Sequence, residues 1–125
     1  MGTHRILIAL GADGSVSGGL GRAPRVAVCE ASADRVHSWE ETSVGWDATH
    51  DTVPDGTQHG IILRFLRDGR VEAVLAGHAG APMQAQLKRL GITFLEYDGV
   101  SPQTAATHAA GLLDLQGEGS PTADA

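Results

Sequence analysis

Six histidines and a single cysteine, Cys29, are the side chains of this 125-residue chain best suited to holding a metal. One thiol cannot close an internal disulfide or complete a cysteine-rich zinc site. Any metal must therefore rely on imidazole, carboxylate or sulfide that it brings with it. Imidazole nitrogen suits iron, zinc, copper and nickel alike, so histidines alone do not choose among them. His59 opens an amphipathic segment, where free N–H groups and the positive end of a helix would also favour an anion. His78 follows a short apolar run in the turn Gly77-His78-Ala79-Gly80. Each also has a plainer reading, His59 as a solvent-facing residue and His78 as an ordinary loop residue. His50, between Asp47 and Asp51, could add a ligand if its loop folds over, although a polar loop segment accounts for it as well. His37 alternates with Trp39 on a strand and reads as structural or exposed. His4 and His108 read as surface residues, and Cys29 as a small buried hydrophobe.

The stretch from Gly11 to Pro24, GADGSVSGGLGRAP, is dominated by glycine, serine and aspartate. Its backbone can take positive φ and come close to a ligand. Ser17, Gly19, Gly21 and Arg22, with Gly77 on the other turn, are the expected contacts of an anionic group; the alternative for Arg22 is a simple pairing with a carboxylate. The segment is not a dinucleotide fingerprint, because the full G-x-G-x-x-G is absent and a strand rather than a helix follows. No nucleophile stands beside a base, and Asp13 and Asp98, each followed by glycine, are common turn residues.

These residues need elements to hold them. Arg5–Leu10 is a continuous apolar run that reads as a central strand buried on both faces. Residues 25–30 and 35–41 read as two strands of an antiparallel hairpin. The stretch from Thr42 to Thr57 has no sustained period and reads as a long connection, poorly ordered without ligand. Ile61, Ile62, Phe65 and Leu66 recur at helical spacing in a helix ended by Gly69. A strand over 71–76 and a helix with Pro82 in its first turn follow, carrying Met83, Leu87 and Leu90 and capped by Gly91. The chain then reads as a strand over 92–97 and a last helix from Ser101 to about Leu115. Right-handed crossovers make the first, fourth and fifth strands parallel, with the hairpin antiparallel at one edge. Ligands of such sheets sit at the carboxyl ends of the parallel strands, which brings the Gly11–Arg22 loop and the Gly77–Gly80 turn together.

Length fits one domain over 1–115 with a disordered tail over 116–125. Fifteen acidic residues against nine basic ones give a net charge of −6, which disfavours nucleic acid, and an aromatic content of 4% offers few stacking platforms. No apolar run reaches the roughly 18 residues of a membrane span, and the N-terminal run is too short for a secretory signal, so a cytoplasmic location is expected.

Ser17 followed by Gly21-Arg22-Ala23-Pro24 resembles the S-x-x-x-G-R-A-P signature of the dinitrogenase iron-molybdenum cofactor biosynthesis family, the NifX-like domains. The resemblance continues through His59-Gly60 and Gly77-x-x-Gly80 and ends near Leu113. It implies a ribonuclease H-like α/β fold, a mixed five-stranded sheet with flanking helices. It also implies a carrier or accessory protein for iron–sulfur or iron–molybdenum clusters, working with metallocluster donor or acceptor proteins. Two departures stand out: Gly19-Leu20 replaces the His-Phe of many relatives, and His78 replaces a glycine, as if an imidazole had moved from one loop to the other. The expected ligands are His59, His78 and His50, for a cluster or a single transition metal ion. The alternative is a small metal-dependent enzyme that keeps one coordination position open. A homodimer through the exposed hairpin edge is a further expectation.

Overall fold

The computed structural model describes residues 2–16 and 18–119. Strand β1 (His4–Leu10) is apolar because both its faces are covered, and Ile6 to Ala9 are fully buried. It lies in the middle of a five-stranded sheet of order β3-β2-β1-β4-β5, with β2 (Arg25–Ala31), β3 (Val36–Ser43), β4 (Ala73–Ala76) and β5 (Thr93–Glu96). β1, β4 and β5 run parallel, and β2 pairs antiparallel with both β1 and β3. This is the topology expected from the sequence.

Helices α2 (Asp55–Asp68) and α3 (Ala81–Arg89) cover one face. There Leu7, Leu20, Trp46, Ile62, Leu66 and Leu87 form one apolar cluster. Helix α4 (Pro102–Gly119) covers the other, packing Ala105, Ala106, Ala109 and Ala110 beneath Ile6, Ile8 and Cys29. α4 continues past the end expected at Leu115, and the rest of the expected tail, 120–125, lies outside the described residues.

Three expectations are corrected. The stretch over 42–57 is not one irregular connection: β3 runs to Ser43, α2 starts at Asp55, and between them buried Trp46, whose N–H donates to the Ala23 carbonyl at 3.0 Å, starts a short helix α1 (Trp46–Thr49). Strand β4 is shorter than 71–76, although Glu72 N–H still donates to Arg5 O at 2.8 Å. Ile61 and Leu90 share the apolar period of their helices but stay exposed at the outer edge of the α2–α3 layer.

His4 is also not a plain surface residue. Its Nδ1 lies 2.8 Å from Glu72 Oε1 and its Nε2 2.7 Å from Asp114 Oδ1, which ties β1 to α4. Burial opposes charging of the imidazole, but hydrogen bonds to the Asp114 and Glu72 carboxylates outweigh it, and the pKa rises above its ordinary 6.5. A raised folded-state value means that this link contributes fully below pH 6.5 and fades as pH climbs through the raised value. Stability measured by denaturant from pH 6 to 9 should therefore decline in wild type. The decline should be shallower in His4→Ala; equal slopes in the two proteins would remove the link from the account.

Candidate functional site

The loop after β1 and the turn after β4 are held together by backbone. Gly77 N–H donates to Gly18 O at 3.0 Å, and Leu20 N–H donates to His78 O at 2.8 Å. A Cβ on Gly77 would stand 2.9 Å from Gly18 N, closer than such atoms approach, and a tight 3.1 Å from Gly18 O. Only glycine lets the two segments touch. Gly77 thus supports the site from behind and is not among the residues lining it.

Beyond this contact opens a cavity of about 290 Å³. Its wall is contributed by a single 3-10 turn (Leu20–Arg22), by His50 after α1, by the first turn of α3, by His78, and by Asp55, Gln58 and His59 of α2, which starts at Asp55 and so holds His59 in its second turn and not at its opening. His50, His59 and His78 therefore come from three separate segments to one hollow, with Gly19, Gly21, Arg22 and Asp55 beside them. Two of the imidazoles would meet a side chain placed on the loop glycines: a Cβ on Gly19 would be 3.9 Å from His78 Cδ2, and one on Gly21 3.9 Å from His50 Cδ2. His78 and Arg22 are exposed, and His50 and His59 half-buried. Arg22 forms no ion pair with any described residue, so its simple pairing with a carboxylate is not what the structure displays. Ser17 lies outside the described residues.

The residue that organises this wall is Gln58, which sequence reasoning missed. Its side chain is 2% exposed, and Nε2 donates to Gly21 O at 2.8 Å and to Trp46 O at 3.0 Å, with Thr49 Oγ1 at 3.4 Å. One amide on α2 thereby fixes the 3-10 turn carrying Arg22 and the helix preceding His50. The only signal in the sequence is a glutamine one residue before His59, which any exposed helix start could carry.

The remaining candidates fall elsewhere. His37 is exposed and bonds Ser32 Oγ at 3.0 Å, and His108 bonds the Tyr97 hydroxyl at 2.7 Å. Cys29 is fully buried on the α4 face, where desolvation pushes its thiol up to about 11, so it remains protonated and far from nucleophilic. Asp13 accepts from Ser15 N–H at 3.0 Å and Ser15 Oγ–H at 2.8 Å. These bonds lower its pKa and mark it as a turn residue. Among the described residues, no group of three His, Cys, Asp or Glu side chains could hold a metal ion, so the cavity histidines line a space instead of converging on a point.

This arrangement lies inside the part of the chain that matches a known family: the profile described as dinitrogenase iron-molybdenum cofactor spans residues 4–111. The chain belongs to that family. The dinitrogenase iron-molybdenum cofactor family is linked to the biosynthesis or handling of that cofactor. The matched range contains β1 to β5 and every cavity residue. The crystal structure of PH0822 is similar in fold, with a TM-score of 0.62 at 21% identity over 84% of this chain and 87% of that one. A comparison with curated proteins returns no match.

Proposed function

We propose that this protein carries an anionic metal–sulfur cluster, of iron–sulfur or iron–molybdenum type, in the cavity between the Leu20–Arg22 turn, His59 and His78. The observation that carries the reading is the gathering of His50, His59 and His78 around one hollow that also presents Arg22 and two helix starts. Imidazoles supply metal ligands, whereas the guanidinium and the helix N-termini favour negative charge. A cavity of about 290 Å³ suits a compact cargo rather than a dinucleotide, since ligand pockets usually run from roughly 300 to 1,000 Å³. Spread-out imidazoles favour a cargo that touches several walls over a single ion, and hence a carrier over the enzyme reading.

The two departures from the family pattern support the same site. Where many relatives place a histidine, this chain has Gly19, and His78 of the opposite turn lies beside it across a backbone bridge. One loop's imidazole thus stands in for the other's. Ser17, Gly19, Gly21 and Arg22 are read as contacts of the anion, with Gly77 holding their loop in place. The sheet itself is read as ribonuclease H-like, in keeping with the order β3-β2-β1-β4-β5 and a single antiparallel hairpin. The partners are metallocluster donor and acceptor proteins. A cytoplasmic site of action and a hairpin-edge homodimer belong to the proposal as well; among the described residues no helix is long and apolar enough to cross a membrane.

Protein purified without oxygen, or reconstituted with iron and sulfide, should contain metal and sulfide and show a broad visible absorption. The His59→Ala, His78→Ala double variant should lose both while keeping its circular dichroism. One colourless metal without sulfide would shift the assignment to a mononuclear site, and equal cluster content in the two proteins would place the cargo elsewhere.

A further inference from the structure

The cavity takes up one end of the α2–α3 pair, and the outer flank of the pair carries a different chemistry. From His59 to Gly91 the sequence holds five basic residues against two acidic ones, a local charge of +3 in a chain of net −6; all other residues together carry −9. Arg64 and Arg67, both exposed on α2, form no ion pair with any described residue. Two hollows flank Arg64. One, of about 470 Å³, is walled by Ile61 and Phe65, with Asp68 at its edge. The other, of about 220 Å³, lies between α2 and α3 and is walled by Leu63 and Leu90 with Arg67. Ile61 and Leu90 are each 45% exposed, although both stand on the apolar period of their helices.

We propose that this flank docks an acidic protein surface, which inserts apolar side chains into the two hollows and pairs its carboxylates with Arg64 and Arg67. Apolar contacts surrounded by unpaired guanidinium groups match the anatomy of protein interfaces, where charge steers the encounter and buried apolar anchors hold it. A second copy of this chain fits less well. Apart from Asp68, its acidic residues lie off this flank, so the contact would be head-to-tail and would not close into a dimer. An anionic bilayer is flat, leaves concave hollows unfilled and repels the −9 carried elsewhere. Gly60 lies in both hollows and directly follows His59 of the cavity wall, so a docked protein would sit beside the cavity mouth. The docking surface stands whether or not the cavity carries a cluster.

The test uses a synthetic helical peptide with two leucines on one face flanked by glutamates, titrated into the ¹⁵N-labelled full chain. Amide shifts should concentrate at Gly60, Arg64 and Leu90. Arg64→Glu combined with Arg67→Glu should weaken binding about tenfold. A peptide with serine in place of the leucines should also bind more weakly, and Arg35→Glu, which changes charge on the β2–β3 turn, should have little effect. Equal loss in Arg35→Glu, indifference to the leucines, or binding to phosphatidylserine vesicles but not to the peptide would each overturn the proposal.

Discussion

Gly77→Ala should detach the Gly18–Arg22 loop and abolish cargo binding while leaving the sheet assembled. The added methyl would meet Gly18 N at 2.9 Å and Gly18 O at 3.1 Å, with Asp98 Oδ1 at 3.2 Å. Two of these are backbone atoms that cannot rotate away, so the loop must move. Overpacking of this kind costs about 1 to 3 kcal/mol. The moved loop also loses the hydrogen bonds from Gly77 N–H and Leu20 N–H, which otherwise hold Gly19 against His78. The midpoint of denaturant unfolding should fall with an unchanged m-value, and amides 18–22 should exchange faster than in wild type. Gly80→Ala is the control, because a Cβ there meets only Pro82 Cδ at 3.7 Å. A Gly77→Ala protein with wild-type stability and wild-type metal content would show that the close approach is dispensable.

Gln58→Met should have the second large effect, from inside the cavity wall. Methionine preserves length and apolar volume but removes the amide that serves Gly21 O and Trp46 O. A buried carbonyl left without a donor costs about 1 to 3 kcal/mol, and here the substitution strips Gly21 O of its donor, while Trp46 O keeps the His50 N–H at 2.9 Å. The Trp46–Thr49 helix should loosen first at its Thr49 end, since its remaining ties to the loop are all at its start: Val44 N–H and Gly45 N–H to Pro24 O and Trp46 N–H to Ala23 O, each at 3.0 Å. Hydrogen exchange over residues 46–53 should rise far more than over β1. Gln58→Glu should not rescue, because a carboxylate cannot donate to either carbonyl. Cargo binding should weaken in both variants, as His50 and the Leu20–Arg22 turn lose their fixed spacing. Full stability in Gln58→Met would mean that the amide is incidental.

The elements legible in the sequence were those that a period or a turn encodes locally. The apolar run 5–10 had to be a doubly covered strand. The hairpin followed from two β-rich segments around Ala31–Asp34, and Gly91 takes the positive φ of 77° that a helix end uses. The gathering of His59, His78 and the Gly11–Arg22 loop followed from topology alone, because parallel strands present their carboxyl ends to one edge. What was illegible depends on contacts far apart in the chain. Nothing near Trp46 signals that its indole will be buried edge-on against Phe65, with ring centroids 5.7 Å apart. Gln58 and His4 are unremarkable until residues 12 to 110 positions away supply their partners. Helical period also misplaced Ile61 and Leu90, since it reports which residues share a stripe but not whether anything covers it. The left-handed residue after α2 is Arg70, at φ 55°, and not the neighbouring Gly69, so a glycine near a helix end did not mark the turn.

The two faces of the sheet differ in how they can change over evolutionary time. Beneath α4, four alanines set a short distance between helix and strands, and enlarging any of them would push the helix off β1. The opposite face is filled by leucines, isoleucine, methionine and an indole, side chains that can exchange shape with one another at modest cost. Descendants of this chain could therefore remodel the cavity for a different cargo by drifting on the α2–α3 side, while the alanine side stayed almost invariant and kept the strands in register.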